Sequence, residues 1–176
     1  MILEIGCGEN PITADTPDIE TKSIDYRMDA VGFDCVEAVG LTTHIPFLSN
    51  SLDGIVCQHV IEHHTHESFG DDPNYGTLLQ FLKECFRVLK TGGFVESMCP
   101  NFAYIAKAYC QHGITNPDFS RQLMQWAMGG QRDKWDYHYA LLDFNILGDW
   151  ARMAGFSNIT LLHPFDWFGL HVRMEK

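Results

Sequence analysis

The stretch MILEIGCGENP, residues 1–11, carries the first signals of the fold. The run MILEI (1–5) has the length and apolar character of a buried strand, and Gly6 ends it. A strand followed by G-x-G first suggests a dinucleotide fold, whose fingerprint needs a third glycine three residues on. This chain has Pro11 there, and residues 9–20 show no helical periodicity that would supply a phosphate-binding helix N-terminus. The turn is therefore predicted not to hold a pyrophosphate.

Strand-length apolar runs alternate with helically periodic segments along the rest of the chain. The further strand candidates are KSID (22–25), FDCVEAV (33–39), LDGIVCQHV (52–60), GFVESMC (93–99), SNITLL (157–162) and the tail HVRMEK (171–176). Helices are predicted over 77–90 with Gly92-Gly93 as the stop, from the cap Asn116 through about Ala127, and from the cap Asn145 to Gly155. This alternation predicts an α/β fold with a doubly wound, mostly parallel sheet, which binds ligands at the carboxyl ends of its strands.

Length, composition and charge restrict the classes of function that the chain can have. A chain of 176 residues with 45% hydrophobic and 20% charged residues predicts one soluble globular domain, residues 1–176. The apolar runs are too short to span a membrane and no signal-peptide pattern is present, which predicts a cytoplasmic protein without a membrane partner. A net charge of −11 and the absence of basic runs argue against nucleic acid as a partner. A neutral or cationic small molecule suits the chain better.

The cysteines do not predict a metal site. The six cysteines contain no C-x-x-C pair, and Cys7 has no second thiol at ligand spacing. Most of them are therefore predicted to be reduced residues of the core.

Four histidines crowd the segment HVIEHHTH, which begins at His59. His59 and His63 would share a helical face with Glu62 beside them, which suggests a metal site, but the H-E-x-x-H order is absent. We predict no metal here and assign His64 and His66 to a solvated loop.

Four blocks of this sequence resemble, in order and spacing, the class I S-adenosylmethionine-dependent methyltransferases. They are LEIGCGENP (3–11), SIDYR (23–27), HIPFLSNSLDGIVCQHVIEH (44–63) and LKECFRVLKTGGFV (82–95). The closer similarity is to a compact, type 11-like subgroup, in which the glycine turn leads through N-P into a short connection. It covers residues 1–100 and extends into GGQRDKWDYHYALLDFNILGDWARMAGF (129–156), which looks like that subgroup's G-G-Q…H…F…L…A-G-F segment. The resemblance implies a Rossmann-like, seven-stranded sheet with reduced N-terminal helices and an antiparallel C-terminal hairpin.

The resemblance also implies S-adenosylmethionine as the cofactor and places the first contacts around β-strand ends. Gly6, Cys7 and Gly8 would pass under the methionine part of the cofactor. Glu4 would orient this loop or reach the cofactor's amino group through water. Asp25 would hold the ribose, since a carboxylate that closes the second strand can accept both hydroxyls.

The remaining cofactor contacts follow the second, third and fourth strands. Tyr26 would lie against the adenine. Many relatives carry an acid after the third strand that meets the adenine amino group, and this chain has none there, so backbone groups near Leu41 and Thr42 would bind the adenine. Gln58 and His59 would border the methionine and the sulfonium.

Methyl transfer from a sulfonium is an in-line displacement, for which alignment alone can lower the barrier by roughly 7–11 kcal/mol. A general base is needed only if the acceptor must lose a proton, as a sugar or phenol hydroxyl does. His63 and His138 are the candidate catalytic residues for that step.

Residues 101–145 are predicted to form a substrate or lid insertion, with a hinge-like loop at Gly129-Gly130-Gln131. Within it, the aromatic residues Trp135, Tyr137 and Tyr139 fit either core or lid packing, or an acceptor pocket.

The predicted function is methyl transfer from S-adenosylmethionine to a small-molecule or glycan acceptor. Two alternatives stay open at this point: a catalytically silent binding or assembly module on the same fold, and a metal-dependent hydrolase built on the histidine cluster. The sequence starts directly at the first strand, where relatives have helices. That start predicts a site that is open, covered by segment 126–139 as a substitute lid, or closed by a partner chain such as the second copy of a homodimer.

Overall fold

The computed structural model describes residues 1–6, 21–25, 38–39, 44–65, 77–132, 136–163 and 168–176. Its strands are β1 (Ile2–Ile5), β2 (Thr21–Asp25), β3 (Ala38–Val39), β4 (Leu52–Gln58), β5 (Leu89–Pro100), β6 (Asn158–Leu161) and β7 (Gly169–Glu175). They lie side by side in the order β3-β2-β1-β4-β5-β7-β6. Strands β1 to β5 pair in parallel, while β7 is antiparallel to both β5 and β6. The fold is therefore α/β with a mixed sheet, and the expected antiparallel hairpin closes the C-terminal edge.

The sheet has a switch point between β1 and β4. From β1 the chain proceeds outward to β2 and β3 on one side, and it then returns to β4 and β5 on the other side. In open α/β sheets of this kind, ligands bind in the crevice beyond the carboxyl ends of the strands that flank the switch point. The ends of β1 and β4 are thus where a site is expected.

The described residues form four α-helices: α1 (Leu78–Val88), α2 (Phe102–Gln111), α3 (Pro117–Met128) and α4 (Phe144–Ala154). The apolar side of α1 packs into the core, as its periodicity predicts, and five of its residues are fully buried: Leu78, Phe81, Leu82, Cys85 and Val88. The predicted start of α3 is confirmed, because Asn116 Oδ1 accepts a hydrogen bond from the backbone N–H of Phe119 at 3.1 Å and Pro117 follows as the first helical residue. None of these helices is both long and apolar enough to cross a membrane.

The main core lies between the sheet and the pair α1 and α4. It includes three of the cysteines, Cys57, Cys85 and Cys99, all at most 1% exposed, as predicted for reduced core residues. Helices α2 and α3 pack on each other through a second, smaller apolar cluster formed by Ile105, Ala108, Leu123 and Ala127. The segment after β5 therefore has a small core of its own.

Two of the predicted helix boundaries have an instructive difference from the structure. Helix α1 ends at Val88 rather than at Lys90 before the Gly92-Gly93 stop, because Leu89 is extended, buried and paired with Leu52 on β4. The two glycines consequently lie within β5. Helix α4 is capped by Asp143 instead of Asn145, since Asp143 Oδ1 accepts from the N–H of Ile146 at 2.9 Å. Helix α2 was not predicted.

The N-terminus of α1 carries a capping box that makes a testable contribution to stability. Thr77 Oγ1 accepts from the N–H of Gln80 at 3.2 Å, and the Gln80 side chain accepts from the N–H of Thr77 at 2.9 Å. Replacing Thr77 with alanine is expected to lower the free energy of unfolding by about 1 kcal/mol, measured by urea denaturation. The matched Thr115→Ala control, an exposed threonine outside any α-helix, should be nearly neutral. Equal losses in the two variants would contradict the capping role.

Candidate functional site

The residue that follows β1, Gly6, lies in one row across the sheet with the last residues of β2 and β4. Ile5 pairs with the residues that precede Asp25 and Gln58, so these two positions flank Gly6 on either side. Gly6 has a φ of 72°, a left-handed conformation that glycine adopts without strain. The switch point therefore carries a glycine in a left-handed conformation between an acidic position and an amide.

Glu4 lies one residue inside β1 and is buried, with 1% of its surface exposed. Its neighbours in the sheet are Ser23 and Val56. The structure thus places Glu4 next to the turn at Gly6, and its predicted role toward the cofactor stays a prediction. The other predicted cofactor contacts lie outside the described residues: Cys7, Gly8, Tyr26, Leu41 and Thr42.

His59 follows β4 with a φ of 54°, a conformation that is uncommon for a residue other than glycine. It is held there by a hydrogen bond from its backbone N–H to the carbonyl of Met98 at 2.8 Å. Its ring Nδ1 lies 3.1 Å from Glu62 Oε1 while 53% of the side chain stays exposed. The hydrogen bond to this carboxylate raises the pKa of His59, against the opposing effect of partial burial.

The prediction that His59 and His63 share a helical face is wrong. The chain makes only a single 3-10 turn, Ile61–His63, and His59 precedes it in a left-handed conformation. His64 is already extended after the turn, because the chain goes on to an isolated bridge between Thr65 and Thr77. The segment is therefore shaped by the tertiary structure and not by helical periodicity.

The prediction that His64 belongs to a solvated loop is also wrong. His64 is 4% exposed, its ring stacks on Phe81 at 4.6 Å between centroids, and its Nδ1 lies 3.1 Å from the carbonyl of Val60. Burial lowers its pKa to about 4, so the ring is neutral near pH 7. His66 lies outside the described residues.

Glu62 is the centre of the site. It is 1% exposed, and of its two carboxylate oxygens only Oε1 has a hydrogen-bond partner, His59; Oε2 has none among the described residues. Its backbone carbonyl accepts from the N–H groups of Tyr139 at 2.8 Å and Ala140 at 3.0 Å. Glu62 thus joins the segment after β4 to the distant segment that carries His138.

The structure brings the two predicted catalytic residues together. The rings of His63 and His138 lie 4.9 Å apart between centroids, at an angle of 79°. His63 Nδ1 is 2.8 Å from the carbonyl of Tyr137, and His138 Nδ1 is 3.0 Å from the carbonyl of Trp126. Because a carbonyl oxygen can only accept, Nδ1 of each ring must carry a hydrogen, so in the neutral form of each ring the lone pair is on Nε2. Burial lowers the pKa of His138.

The loop after α3 fixes the position of His138. The N–H of His138 donates to the carbonyl of Met128 at 3.1 Å. Gly129 has φ 75° and ψ 173°, and a Cβ at that position would overlap the carbonyl oxygen of Asp136. Asp136 accepts from Arg132 Nε at 2.8 Å, a bond that lowers the pKa of the carboxyl to about 2. The predicted hinge-like loop is therefore a tight, hydrogen-bonded turn.

A cavity of about 240 Å³ opens beside these residues. Its lining includes His59 and His138 together with the stacked pair Trp126 and Phe168, whose centroids are 5.3 Å apart. Phe168 was missed by sequence reasoning, although the aromatic run before β7 was a signal that could have found it.

Tyr137 and Tyr139, two of the aromatic residues singled out after α3, do not line this cavity. Tyr137 and Tyr139 stack on each other at 6.2 Å between centroids and are 39% and 42% exposed. They are therefore not core residues, and the cavity is lined by Trp126 and Phe168 instead. Trp135 falls outside the described residues.

Comparison with known proteins shows a clear family relation. A family model described as a methyltransferase domain matches residues 3–96. No sequence among the curated proteins matches the chain.

Several solved structures of S-adenosylmethionine-dependent methyltransferases share the fold. A protein from Thermotoga maritima is 17% identical with a TM-score of 0.62, over 99% of this chain and 81% of that one. A protein from Archaeoglobus fulgidus is 15% identical with a TM-score of 0.64, over 99% and 85% of the two chains. A protein from Aquifex aeolicus is 16% identical with a TM-score of 0.56, over 98% and 81%. At these identities the similarity shows the fold alone.

Proposed function

The chain belongs to the methyltransferase domain family, whose model matches more than half of it, and from this membership we propose that it transfers a methyl group from S-adenosylmethionine to a hydroxyl of a small-molecule or glycan acceptor. The observation that carries the proposal is one continuous edge of the sheet. At this edge Asp25 and Gln58 flank the turn at Gly6. His59 comes directly after Gln58, and it lines the cavity.

The residues at the switch point fit the family's cofactor. Gly6 has the positive φ that lets the backbone pass close to a ligand, and no Cβ stands in the way. The acidic position at the end of β2 is where α/β folds hold a ribose. The net charge of −11 favours a ligand that carries a sulfonium cation. When bound, this cofactor supplies an electrophilic methyl group, and its proximity to and alignment with the acceptor account for most of the further lowering of the barrier.

His63 and His138 provide the chemistry on the acceptor side. A hydroxyl acceptor must lose a proton when its oxygen is methylated, and an Nε2 lone pair of a neutral imidazole can receive it. In support of this role, His138 lines the cavity and the ring of His63 lies against that of His138. Neither ring needs to reorient for this, because the carbonyls of Tyr137 and Trp126 hold both of them in the required tautomer. We therefore keep His63 and His138 as the proposed catalytic residues.

The cavity favours a small, ring-shaped acceptor. Its volume of about 240 Å³ is below the usual range for drug-sized ligands, so it suits one ring or a single sugar unit. The faces of Trp126 and Phe168 offer stacking, and the ion pair of Arg132 with Asp136 adds polar groups at the same wall. This combination supports an acceptor that has both an apolar face and hydroxyl groups.

We also propose that the sheet is the complete, doubly wound seven-stranded sheet of the family and that residues 101–145 are its substrate-binding insertion. The separate small core between α2 and α3 supports this assignment, because it makes the segment a unit attached to the sheet at β5. The acidic net charge further supports an acceptor other than nucleic acid.

Acceptor-dependent release of S-adenosylhomocysteine tests the proposal. The purified chain is incubated with saturating S-adenosylmethionine and a panel of monosaccharides and phenols, and the thioether product is quantified by mass spectrometry. Release above the acceptor-free background with at least one hydroxyl acceptor is expected. Cofactor binding without release on any acceptor would contradict catalysis and point to a binding module.

Trp126→Ala tests the cavity as the acceptor site. We expect the KM for the acceptor to rise about tenfold, equivalent to about 1.4 kcal/mol, because one stacking face is lost. The affinity for S-adenosylhomocysteine should not change. The matched control is Met124→Ala on the exposed side of the same helix, α3, which should leave both values unchanged. A weaker cofactor affinity with an unchanged acceptor KM would assign the cavity to the cofactor instead.

A further inference from the structure

Three side chains of the kind that bind metals converge beside the cavity: Glu62, His63 and His138. They come from two segments more than seventy residues apart, and one potential ligand atom of each lies within 4.8 Å of the other two. We propose that this cluster binds one divalent transition-metal ion. The argument for ion binding depends only on the geometry of this cluster. The role of the ion toward the acceptor rests on the proposed function.

The unpartnered oxygen of Glu62 is the first argument for an ion. A carboxylate that is 1% exposed normally has hydrogen bonds to both oxygens, because burying an unpaired one is costly. His59 occupies Oε1, and Oε2 has no hydrogen-bond partner in the described part of the chain. One oxygen of the same carboxyl group lies within 4.8 Å of a ring nitrogen of both His63 and His138. A cation between them would satisfy the free oxygen.

The orientation of the two imidazoles is the second argument. Histidines that bind metals usually donate their other ring N–H to a carbonyl or carboxylate, which fixes the tautomer and aims the lone pair at the ion. His63 has this arrangement with the carbonyl of Tyr137, and His138 has it with the carbonyl of Trp126. Both rings therefore offer Nε2, and both are oriented before any ion arrives.

The backbone around the cluster is also fixed in advance. The carbonyl of Glu62 accepts two N–H groups from the segment that carries His138, and the N–H of His138 is bound to the carbonyl of Met128. Ligands of a tetrahedral zinc ion are about 3.4 Å apart, since each lies about 2.1 Å from the metal. The three potential ligand atoms, at most 4.8 Å apart, must therefore each move by about 1 Å to reach this spacing. Side-chain rotation can supply these movements while the backbone stays in place.

The donor set indicates which ions fit. Two imidazole nitrogens and one carboxylate oxygen favour zinc, cobalt or iron over calcium and magnesium, which prefer oxygen ligands alone. Three protein ligands leave at least one position open, and His138 also lines the cavity. A hydroxyl bound at that position would lose its proton to solvent more easily, because the ion lowers its pKa. In the metal-bound chain His63 and His138 would act as ligands, and the role of proton acceptor proposed above would apply to the metal-free chain.

No local sequence pattern indicates this site, because its ligands do not lie on one helix. The H-E-x-x-H pattern requires its ligands on adjacent turns, whereas here the turn Ile61–His63 supplies two ligands and residue 138 supplies the third.

Metal titration of the full chain tests the inference. After treatment with a chelator and dialysis, the protein is titrated with Co²⁺ and followed by visible absorption, and with Zn²⁺ by calorimetry. One ion per chain is expected. Glu62→Gln and His138→Gln should each weaken binding at least about 100-fold, since each removes a ligand. His112→Gln is the matched control, because His112 is exposed at the end of α2 and lines a different cavity.

Two results would overturn the inference: no heat and no cobalt absorption at millimolar ion, or binding that neither Glu62→Gln nor His138→Gln weakens. Thermal melts of both variants check that they are folded; His138→Gln lies in a loop and tests the site even if the buried Glu62→Gln is unstable. S-adenosylhomocysteine binding is measured on the same chelated sample. Binding of the thioether without binding of the metal overturns this inference and leaves the proposed function intact.

Discussion

Gly129→Ala is expected to lower the free energy of unfolding by at least about 2 kcal/mol, or to displace the loop that carries His138, with loss of methyl transfer in either case. The backbone at Gly129 has φ 75° and ψ 173°, a region that residues with a Cβ essentially never occupy. An added Cβ would also overlap the carbonyl oxygen of Asp136, and this contact cannot relax by rotation of a side chain. The strained backbone conformation and the steric overlap therefore each destabilise the Gly129→Ala variant.

Urea denaturation and the methyl-transfer assay together measure the effect of Gly129→Ala. The matched control is Gly92→Ala, because Gly92 also has a positive φ, of 79°, but a Cβ there meets nothing within 4 Å. Gly92→Ala should show a smaller loss of stability, and its methyl transfer should be unaffected. If Gly129→Ala matched this control in both assays, the tight turn between α3 and His138 would not be a requirement of the site.

Asp25→Ala is expected to weaken binding of S-adenosylhomocysteine at least tenfold. Asp25 ends β2 beside the turn at Gly6, and a carboxylate at that position is predicted to accept both ribose hydroxyls. Hydrogen bonds to a charged group contribute about 1.5–3 kcal/mol, and a tenfold change corresponds to about 1.4 kcal/mol. The loss of two such hydrogen bonds would weaken binding by more than tenfold, so the predicted change in affinity is a lower bound.

Isothermal calorimetry measures the Asp25→Ala effect directly. Asp149→Ala serves as the matched control, since it removes the same charge from an exposed position of α4, far along the chain from the sheet edge. An affinity of Asp25→Ala equal to that of the control would refute the ribose role of Asp25.

The parts of the fold that the sequence predicts are those that local chemistry determines. The strand before Gly6, the amphipathic α1 and the Asn116-Pro117 start of α3 follow from apolar periodicity and capping, and each is confirmed. The errors at helix ends have a local reason as well. Asp143 and Asn145 are both good caps two residues apart, and only the packing of α4 selects between them.

The site was harder to predict, because its contacts are distant in sequence. His63 and His138 could each be named as candidates, but nothing local indicates that their rings meet or that Glu62 lies buried between their segments. In the sequence His64 looks like any other histidine of the segment HVIEHHTH, and it becomes a core residue because Phe81 packs on it. Phe168 reaches the cavity through the position of β7 in the sheet, so the aromatic run before β7 could mark it as a candidate but could not place it in the cavity.

Calorimetric titration of the purified 176-residue chain with S-adenosylhomocysteine is the most direct test of the proposed cofactor site at the switch point. Circular dichroism on the same sample verifies that the protein is folded. We predict binding of one ligand per chain with a Kd tighter than about 1 mM, the upper end of the range typical for enzyme substrates. The absence of heat from folded protein at millimolar ligand would contradict it.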